Sequence, residues 1–290
     1  MITFKRIGLA LAFSPTAEAI LSETARLVHL FKTELILVHV GPHGLKENQL
    51  LNQLLAKTGL AENSLKIIWV EGDPADKILT VCRQEKIDLL VAGALKRENL
   101  VQYYIGTIAR KMMRKADCSL MMIVNPSVEP KQLKNIVVNA EDSPFIESAL
   151  QAACQIGARQ EQAWIHVVRE LKLYGLAMAA TDQQSEKEYI EMQQQLIQDE
   201  ITEVERMLSQ IPHENLKINI KMLSGKSGFE LCKFAERKQA DLLVVGASPR
   251  RFSWVDRLFP HDLEYVFADL PCNLLVVYPG GPFGKEDARG

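Results

Sequence analysis

The sequence predicts an α/β protein built from two tandem three-layer α/β/α domains, each with a five-stranded parallel sheet. Short apolar runs alternate with longer amphipathic segments, a pattern typical of β-α-β units. The pattern occurs twice, because phrases of the first half return in the second half in the same order. With 290 residues in total, each half has enough chain to bury a core without disulfides or metal.

In the first half, five apolar runs of strand length are separated by four amphipathic segments of helix length. The predicted strands lie at residues 4–12, 34–40, 65–70, 88–92 and 119–124. The predicted helices lie at residues 15–31, 45–58, 74–85 and 106–116. Ser14 and Pro15 are predicted to begin the first helix, as its N-cap and its first-turn proline.

Four phrases of the first half have counterparts in the second half. They are IDLLVAGA (87–94) with ADLLVVGA (240–247), DCSLMMIVNP (117–126) with PCNLLVVYP (271–279), ELILVHV (34–40) with AWIHVV (163–168), and FSPTAEAIL (13–21) with DSPFIESAL (142–150). Four ordered matches indicate a duplication. In this alignment His39 and His166 occupy equivalent strand positions.

The boundary between the halves is predicted near NPSVEP, residues 125–130, where two prolines interrupt the pattern. The predicted domains are therefore residues 1–127 and 131–279, followed by a flexible tail at 280–290. The second half repeats the order of elements, with a longer Gln- and Glu-rich helix predicted at 184–209.

The composition is that of an ordinary soluble globular protein, with 47% hydrophobic residues, 24% charged residues and a net charge of -2. Because acidic residues balance the locally basic segments, we expect no nucleic-acid partner. No stretch approaches the roughly 18 apolar residues that span a bilayer, and the N-terminal apolar run lacks a signal-cleavage site. We therefore expect a cytoplasmic protein that does not bind membranes.

The five cysteines are scattered and form no C-x-x-C pair, so the sequence predicts neither a metal site nor a redox couple. Cys118 and Cys272 fall at matching places before the last strand of each half, where a small apolar side chain suits a buried position. We expect them to be reduced core thiols. No arrangement of serine, histidine and aspartate, of cysteine and histidine, or of paired carboxylates indicates a catalytic site.

The segment AGALKRENLVQYYIGTIARK, residues 92–111, leaves a predicted strand at Gly93 and begins a predicted helix at Gly106 and Thr107. In an open parallel sheet, ligands bind outside the carboxyl ends of the strands, where helix N-termini expose amides. The first-turn amides of this helix and the Thr107 hydroxyl could therefore receive phosphate oxygens. The same turn also occurs in many α/β proteins without a ligand.

The spacing of this loop resembles that of the universal stress proteins, whose nucleotide-binding members carry G-x-x-G, nine residues, and then G-[ST]. Here Gly93 is followed by two residues, Lys96, nine residues, Gly106 and Thr107. The phrases FSPTAEA, LVHV, EGDPADKIL and CSLMMIVNP are similar to the family as well. Because the resemblance covers both halves, the chain resembles a tandem universal stress protein, which implies sheets of the adenine-nucleotide alpha-hydrolase-like type.

The resemblance implies a pocket for ATP or another adenine nucleotide in the first half. Val40 would offer its backbone to the adenine, and Gly93 would pack under the nucleotide. Gly106, Thr107 and Ile108 would contact the phosphates.

Two positions of the first half depart from the family pattern and predict weak binding. Ala12 stands where nucleotide binders have an aspartate, which removes an acceptor for a nucleoside hydroxyl. Lys96 stands at the second glycine, where a Cβ costs about 1 kcal/mol if the loop requires a positive φ. Lys96 has two further interpretations: a cation for a triphosphate, or a surface lysine on a loop that has lost its ligand.

The second half departs further from the pattern. Pro249 stands at the second-glycine position, and Pro260 and His261 stand where the family has glycine and threonine. Because proline has no N–H to donate to a phosphate, we expect no triphosphate site in this half. Glu141 is the counterpart of Ala12 and is expected to face solvent.

These observations predict a cytoplasmic stress-response or regulatory protein that is not an enzyme and acts by associating with unknown protein partners. One alternative is a weak ATPase or adenylyl transferase of a related α/β superfamily, and another is a nucleotide-free scaffold. The last strands would otherwise leave apolar edges exposed, so the halves are predicted to pack as an intramolecular pseudo-dimer, as the known family dimers also imply. A homodimer of the full chain is compatible with the sequence, although no residue singles it out.

Overall fold

The computed structural model describes residues 4–96, 102–141, 145–170, 186–224, 227–247 and 263–278. In the first half the strands are β1 (Arg6–Ala10), β2 (Glu34–Val40), β3 (Leu65–Val70), β4 (Leu89–Gly93), β5 (Leu95–Lys96), β6 (Tyr103–Tyr104) and β7 (Ser119–Ile123). The helices of this half are α1 (Ala17–Phe31), α2 (Leu45–Leu55), α3 (Pro74–Gln84) and α4 (Thr107–Lys115), with a short 3-10 helix at Glu62–Ser64.

The second half repeats this order of elements. Its strands are β8 (Asn135–Asn139), β9 (Trp164–Glu170), β10 (Lys217–Leu223), β11 (Leu242–Gly246) and β12 (Asn273–Val277). Its helices are α5 (Ile146–Gly157), α6 (Glu186–Leu208), α7 (Ser227–Arg237) and α8 (Leu263–Ala268). The long helix predicted at 184–209 is thus observed as α6.

The predicted strands and helices of the first half are all present, with two differences. The short strands β5 and β6 were not predicted. Helix α1 begins at Ala17 rather than at residue 15, and its N-cap residue Thr16 makes no side-chain cap. The reason is a tight turn in which the Ala17 amide donates to the Ser14 carbonyl over 3.0 Å, so that Ser14 and Pro15 precede the helix.

The ten longer strands form one continuous sheet in the order β10-β9-β8-β11-β12-β7-β4-β1-β2-β3. Within each half the strands are parallel, as predicted. The halves meet where β7 and β12 pair antiparallel, with Met121 opposite Leu275. The two five-stranded sheets therefore share their last-strand edges.

Helices cover both faces of this sheet and produce the three layers. One face packs against α1, α2, α5 and the last turns of α6. The other face packs against α3, α4, α7 and α8. Each of the two apolar cores runs through both halves, since β-strand residues of both halves contribute to each. Among the described residues, every helix is too short or too polar to cross a bilayer.

Two aspartates show the internal repeat at the level of individual bonds. The Asp88 carboxylate accepts from the Lys5 amide at 2.8 Å and from the Arg6 amide at 3.2 Å. The Asp241 carboxylate accepts from the equivalent amides of the second half, those of Lys134 and Asn135, both at 2.8 Å. In each half, an aspartate before the fourth strand thus holds the start of the first strand.

The predicted equivalence of His39 and His166 is wrong. The Leu11 amide donates to the Val38 carbonyl, and the Ala140 amide donates to the Val168 carbonyl in the same way. This register makes Arg169 the counterpart of His39 and places His166 where the first half has an isoleucine. The cause is that the dipeptide His-Val occurs at different positions along the two strands. The surrounding apolar sequences are so similar that an alignment by sequence matches the two histidines.

Four of the five cysteine side chains are buried in the core, among them Cys118 and Cys272, as expected. These two are 3% and 7% exposed, and Cys82 and Cys154 are also buried. Burial raises the pKa of the Cys154 thiol to about 12. Because the thiolate is the reactive form, such thiols are expected to react slowly.

Candidate functional site

The glycine loop lies at the carboxyl edge of the first-half sheet and forms a small hairpin. Strand β4 ends at Gly93, and the next amide, that of Ala94, donates to the Ile123 carbonyl at 2.9 Å. The chain then forms β5, which pairs antiparallel with β6 and places Lys96 opposite Tyr103. The described part of the loop is therefore built as a two-stranded ribbon that leads into α4.

The N-terminus of α4 is the helix end at which the sequence predicts contacts to phosphates. Gly106 is the N-cap residue, makes no side-chain cap, and has extended backbone angles of φ -71° and ψ 170°. The first turn contains no acidic residue, and Thr107 is exposed. Free amides and the helix dipole at such an end favour an anion by about 0.3–1 kcal/mol.

Leu95 occupies the space above this helix end. A Cβ built on Gly106 would stand 2.5 Å from Cδ1 of Leu95, and the Leu95 side chain is nevertheless half exposed. Ile108, in the first turn, is also half exposed. Two half-exposed apolar side chains therefore flank this helix end, and one of them, Leu95, packs against Gly106.

Gly93 is explained by packing within the protein. A Cβ at this position would stand 2.5 Å from Cδ1 of Ile20, on α1. The missing side chain thus points to the α1 face of the sheet, whereas α4 covers the opposite face. The contact of Gly93 with a nucleotide stays a prediction, since packing against α1 already accounts for the small residue.

Val40 lies at the end of β2, on the sheet face that α4 covers. Its side chain is partly buried against the core of that face. Strand β1 separates β2 from β4, so Val40 and Gly93 are about 10 Å apart across the sheet. This span leaves a strip along the sheet edge between them, in which the carboxyl end of β1 and the exposed Ala12 lie.

Lys96 is an exposed strand residue. It lies in β5, and the positive φ angles of the described non-glycine residues occur at other positions. The predicted cost of a Cβ at a positive φ therefore does not apply to Lys96. Its two other interpretations, a cation for a phosphate and a plain surface lysine, both stay open.

A lysine on α4 ties this helix to α3. The Lys111 ammonium lies 3.0 Å from the Asp73 carboxylate and 2.8 Å from that of Asp76. Asp73 is the N-cap of α3, and hydrogen bonds, first to the Asp76 amide and then to Lys111, lower the pKa of its carboxyl. These contacts use two of the acidic groups near α4 for structure.

The second half lacks a comparable described loop. Pro249, Pro260 and His261 lie outside the described residues. Gly246 has no room for a Cβ, which would stand 2.9 Å from the Phe145 carbonyl oxygen. Glu141 is partly buried rather than fully exposed, which differs from the expectation that it faces solvent.

Arg169 is a buried cationic group at this edge of the second half, with 6% of its surface exposed. It forms an ion pair with Glu200 of α6 and donates to the Ala140 carbonyl at 3.4 Å. In the first half the His39 ring contacts the equivalent carbonyl, that of Leu11, at 2.9 Å. In both halves, a side chain of the second strand thus bonds the carbonyl just after the first strand, but it is a histidine in one half and an arginine in the other.

Sequence reasoning missed an aromatic cluster at the ends of β1, β2 and β3. The His39 ring lies 4.5 Å from Phe13 and 4.9 Å from Trp69, between ring centres. His43 stacks on Trp69 at 4.5 Å with an angle of 16° between the planes. In the β2–β3 register His39 lies beside Trp69, a neighbourhood that the sequence alone does not indicate. Within the described ranges, groups of three residues able to hold a metal are absent.

Comparisons with known proteins show similarity to one protein family. The universal stress protein family model matches residues 42–124 and 132–278. A universal stress protein of Methanothermobacter thermautotrophicus is 33% identical over 61 residues, and one of Methanocaldococcus jannaschii is 28% identical over 60. These matches cover 21% of this chain, and 40% and 35% of the two relatives, respectively. The matches thus span less than half the length of these curated relatives.

Solved structures share the fold over nearly the whole chain. A functionally unknown protein of Pseudomonas aeruginosa PAO1 has a TM-score of 0.67 and 17% identity, covering 97% of this chain and 94% of the other. A universal stress protein of Archaeoglobus fulgidus has a TM-score of 0.67 and 13% identity, covering 94% and 97%. At these identities the likeness concerns the fold alone. Since the family model covers most of the chain in two successive segments, the chain belongs to the universal stress protein family.

Proposed function

We propose that this chain is a cytoplasmic regulatory protein of the stress response, that it acts by protein association, and that its first half holds an adenine nucleotide weakly. The observation that supports the nucleotide site is the α4 N-terminus, where Gly106 leaves the first-turn amides without a side-chain cap. Family membership adds the expectation of an adenine nucleotide at this edge of the sheet.

Weak binding follows from two features of the same site. Leu95 lies over Gly106, so its displacement costs part of the favourable interaction with phosphate. Ala12 offers no carboxylate to a nucleoside hydroxyl. We therefore expect a dissociation constant for ATP that is micromolar or larger, which corresponds to a binding free energy of about -8 kcal/mol or weaker.

The protein is proposed not to be an enzyme because the described groups near α4 offer no general base for a phosphoryl transfer. The first turn of the helix has no acidic residue. Asp73 and Asp76 are paired with Lys111, and Glu264 is paired with Arg110. A weak ATPase needs such a base or a metal ligand beside the phosphates. The contact of Leu95 with Gly106 favours the other candidate function, a nucleotide-free scaffold. The experiment below therefore tests this function as well.

Saturation-transfer NMR with ATP in excess, combined with an assay for released phosphate, separates the three functions. We expect saturation transfer to the adenine protons, loss of that transfer in Gly106→Val, and no phosphate release above the level of the variant. Phosphate release that depends on Gly106 would support an ATPase. Absence of transfer in the unchanged protein would support the scaffold and contradict the nucleotide proposal.

A further inference from the structure

The two halves are related by a pseudo-twofold axis at the pairing of β7 with β12. Met121 lies opposite Leu275, with Leu120 opposite Val276 and Met122 opposite Leu274 on either side. Cys118 and Cys272 precede the two strands at matching places, so equivalent residues in this region differ by 154 in number. Met121 and Leu275 are therefore each other's counterparts and lie on the axis.

Two side-chain hydrogen bonds across this axis are related by its twofold symmetry. The Tyr278 amide donates to Oγ of Ser119 at 3.0 Å, and the Val124 amide donates to Oδ1 of Asn273 at 2.7 Å. Ser119 and Asn273 are equivalent, as are Val124 and Tyr278. Each last strand therefore begins with a side chain that accepts from the end of the other strand. Two copies of one half could form the same bonds, so these contacts stabilise pairing without selecting a partner.

One contact across the axis is not symmetric in charge. Arg110 of α4 forms an ion pair with Glu264 of α8, and these two residues are also counterparts. The Arg110 side chain is oriented by a 3.0 Å bond from its Nε to the Ile105 carbonyl. Arg114 lies 3.9 Å from the same glutamate. The same axis applied to two first halves would bring Arg110 against Arg110, and in two second halves Glu264 against Glu264.

Water screens this contact only in part. The Arg110 and Glu264 side chains are 31% and 37% exposed, and they flank a cleft that Met113 and Phe267 also line. Like charges in such a position are repulsive enough to reject a partner, which is a common source of specificity at interfaces. The charge on the rest of α4 adds to the effect, since that helix has basic residues and no acidic one.

We propose that the Arg110–Glu264 pair selects the partner at the last-strand edge: each half accepts the other half of the chain and rejects a copy of itself. The apolar strand edge and the symmetric bonds stabilise the pairing of two halves. The opposite charges at equivalent positions determine which half can pair with which. The partner that fits the edge of the first half is therefore a half with an acidic residue at the position of Glu264.

Charge reversal in the full chain tests this proposal. Arg110→Glu places two glutamates together, as in a pair of second halves, and Glu264→Arg places two arginines together, as in a pair of first halves. We expect each to lower the Tm by at least about 3 °C, whereas the double reversal loses less than either single reversal, because it restores opposite charges at the two positions. Lys233→Glu and Glu236→Arg are matched controls, because that ion pair lies within α7 and does not cross the axis.

The double reversal shows whether the two charges act as a pair. Single reversals that leave the Tm unchanged, or losses that add up in the double variant, would overturn the proposal. If a single reversal fails to fold, a folded double reversal still supports it, and a double reversal that also fails to fold contradicts it.

Discussion

The Leu95 side chain lies over Gly106, with Cδ1 2.5 Å from the place that a Cβ at position 106 would take. We expect this contact to hinder access to the helix end at which we propose that the phosphates of a nucleotide bind. Leu95→Ala is therefore expected to tighten ATP binding by about two- to fivefold, since it uncovers an interaction worth about 0.3–1 kcal/mol. A thermal-shift titration with ATP measures the change. Leu45→Ala is the control, because Leu45 is an exposed leucine on α2, and an equal affinity in both variants would show that Leu95 does not limit access.

Gly93 and Ile20 are predicted to act as one packing unit. Gly93→Ala pushes the Ile20 methyl aside and should lower the free energy of unfolding by about 1 kcal/mol, at the low end of overpacking costs because the methyl ends a flexible side chain. Ile20→Val removes that methyl, so Gly93→Ala should cost almost nothing when added to it. Urea denaturation of the four proteins measures the coupling. Additive costs would show that Gly93 is required for another reason.

The Glu200 carboxylate is predicted to contribute more to the free energy of unfolding than the carboxylate of Glu203 on the same helix. Glu200→Ala leaves the buried Arg169 guanidinium without its ion pair, which should lower the free energy of unfolding by about 2–3 kcal/mol. Glu203→Ala removes a carboxylate from the same helix, but its partner Arg206 is exposed, and little change is expected. Chemical denaturation compares the two variants, and equal losses would mean that the burial of Arg169 does not matter.

His166 is predicted to make stability depend on pH. Burial, and secondarily the charge of Lys238, lowers the pKa of His166 below its ordinary value of 6.5. The unfolded chain therefore binds the proton more readily, so the stabilisation present above about pH 6.5 is lost as the pH falls towards the folded-state pKa. His166→Ile, which copies the residue at Ile36, should flatten the loss of stability between about pH 7 and pH 5.

Denaturation midpoints across this pH range check the prediction for His166. His29→Gln serves as the control, because His29 lies on α1, away from β9. If the unchanged chain and His166→Ile lose stability in parallel, another group is responsible for the dependence.

The local elements could be predicted from the sequence because their signals are local. The alternation of apolar runs located β1, β2, β3, β4 and β7 within a few residues, and the proline in EGDPAD marked the first turn of α3, where Asp73 is the N-cap. The repeat itself was evident from phrases in the same order. Helix α1 was placed two residues early because the turn at Ser14 competes with a proline-initiated helix.

The contacts between distant residues could not be predicted in this way. Nothing in the text of β4 indicates that Ile20 fills the space beside Gly93, or that Leu95 turns back onto Gly106. The register of β9 was misjudged because a shift of His-Val leaves the apolar text similar, although it replaces His39 by Arg169 at the strand end. Such features depend on which elements the fold brings together, so they became visible only in three dimensions.

The central claim is that any nucleotide binds in the first half, at the Gly106 end of α4, and weakly. Calorimetric titration of ATP into the Ala12→Asp/Leu95→Ala chain tests it most directly, alongside the unchanged chain and the same double variant with Gly106→Val. We predict that the double variant binds ATP at least about tenfold more tightly than the unchanged chain, about 1.4 kcal/mol, and that Gly106→Val abolishes this binding. Binding that survives Gly106→Val, or a double variant that binds no better than the unchanged chain, would contradict the claim.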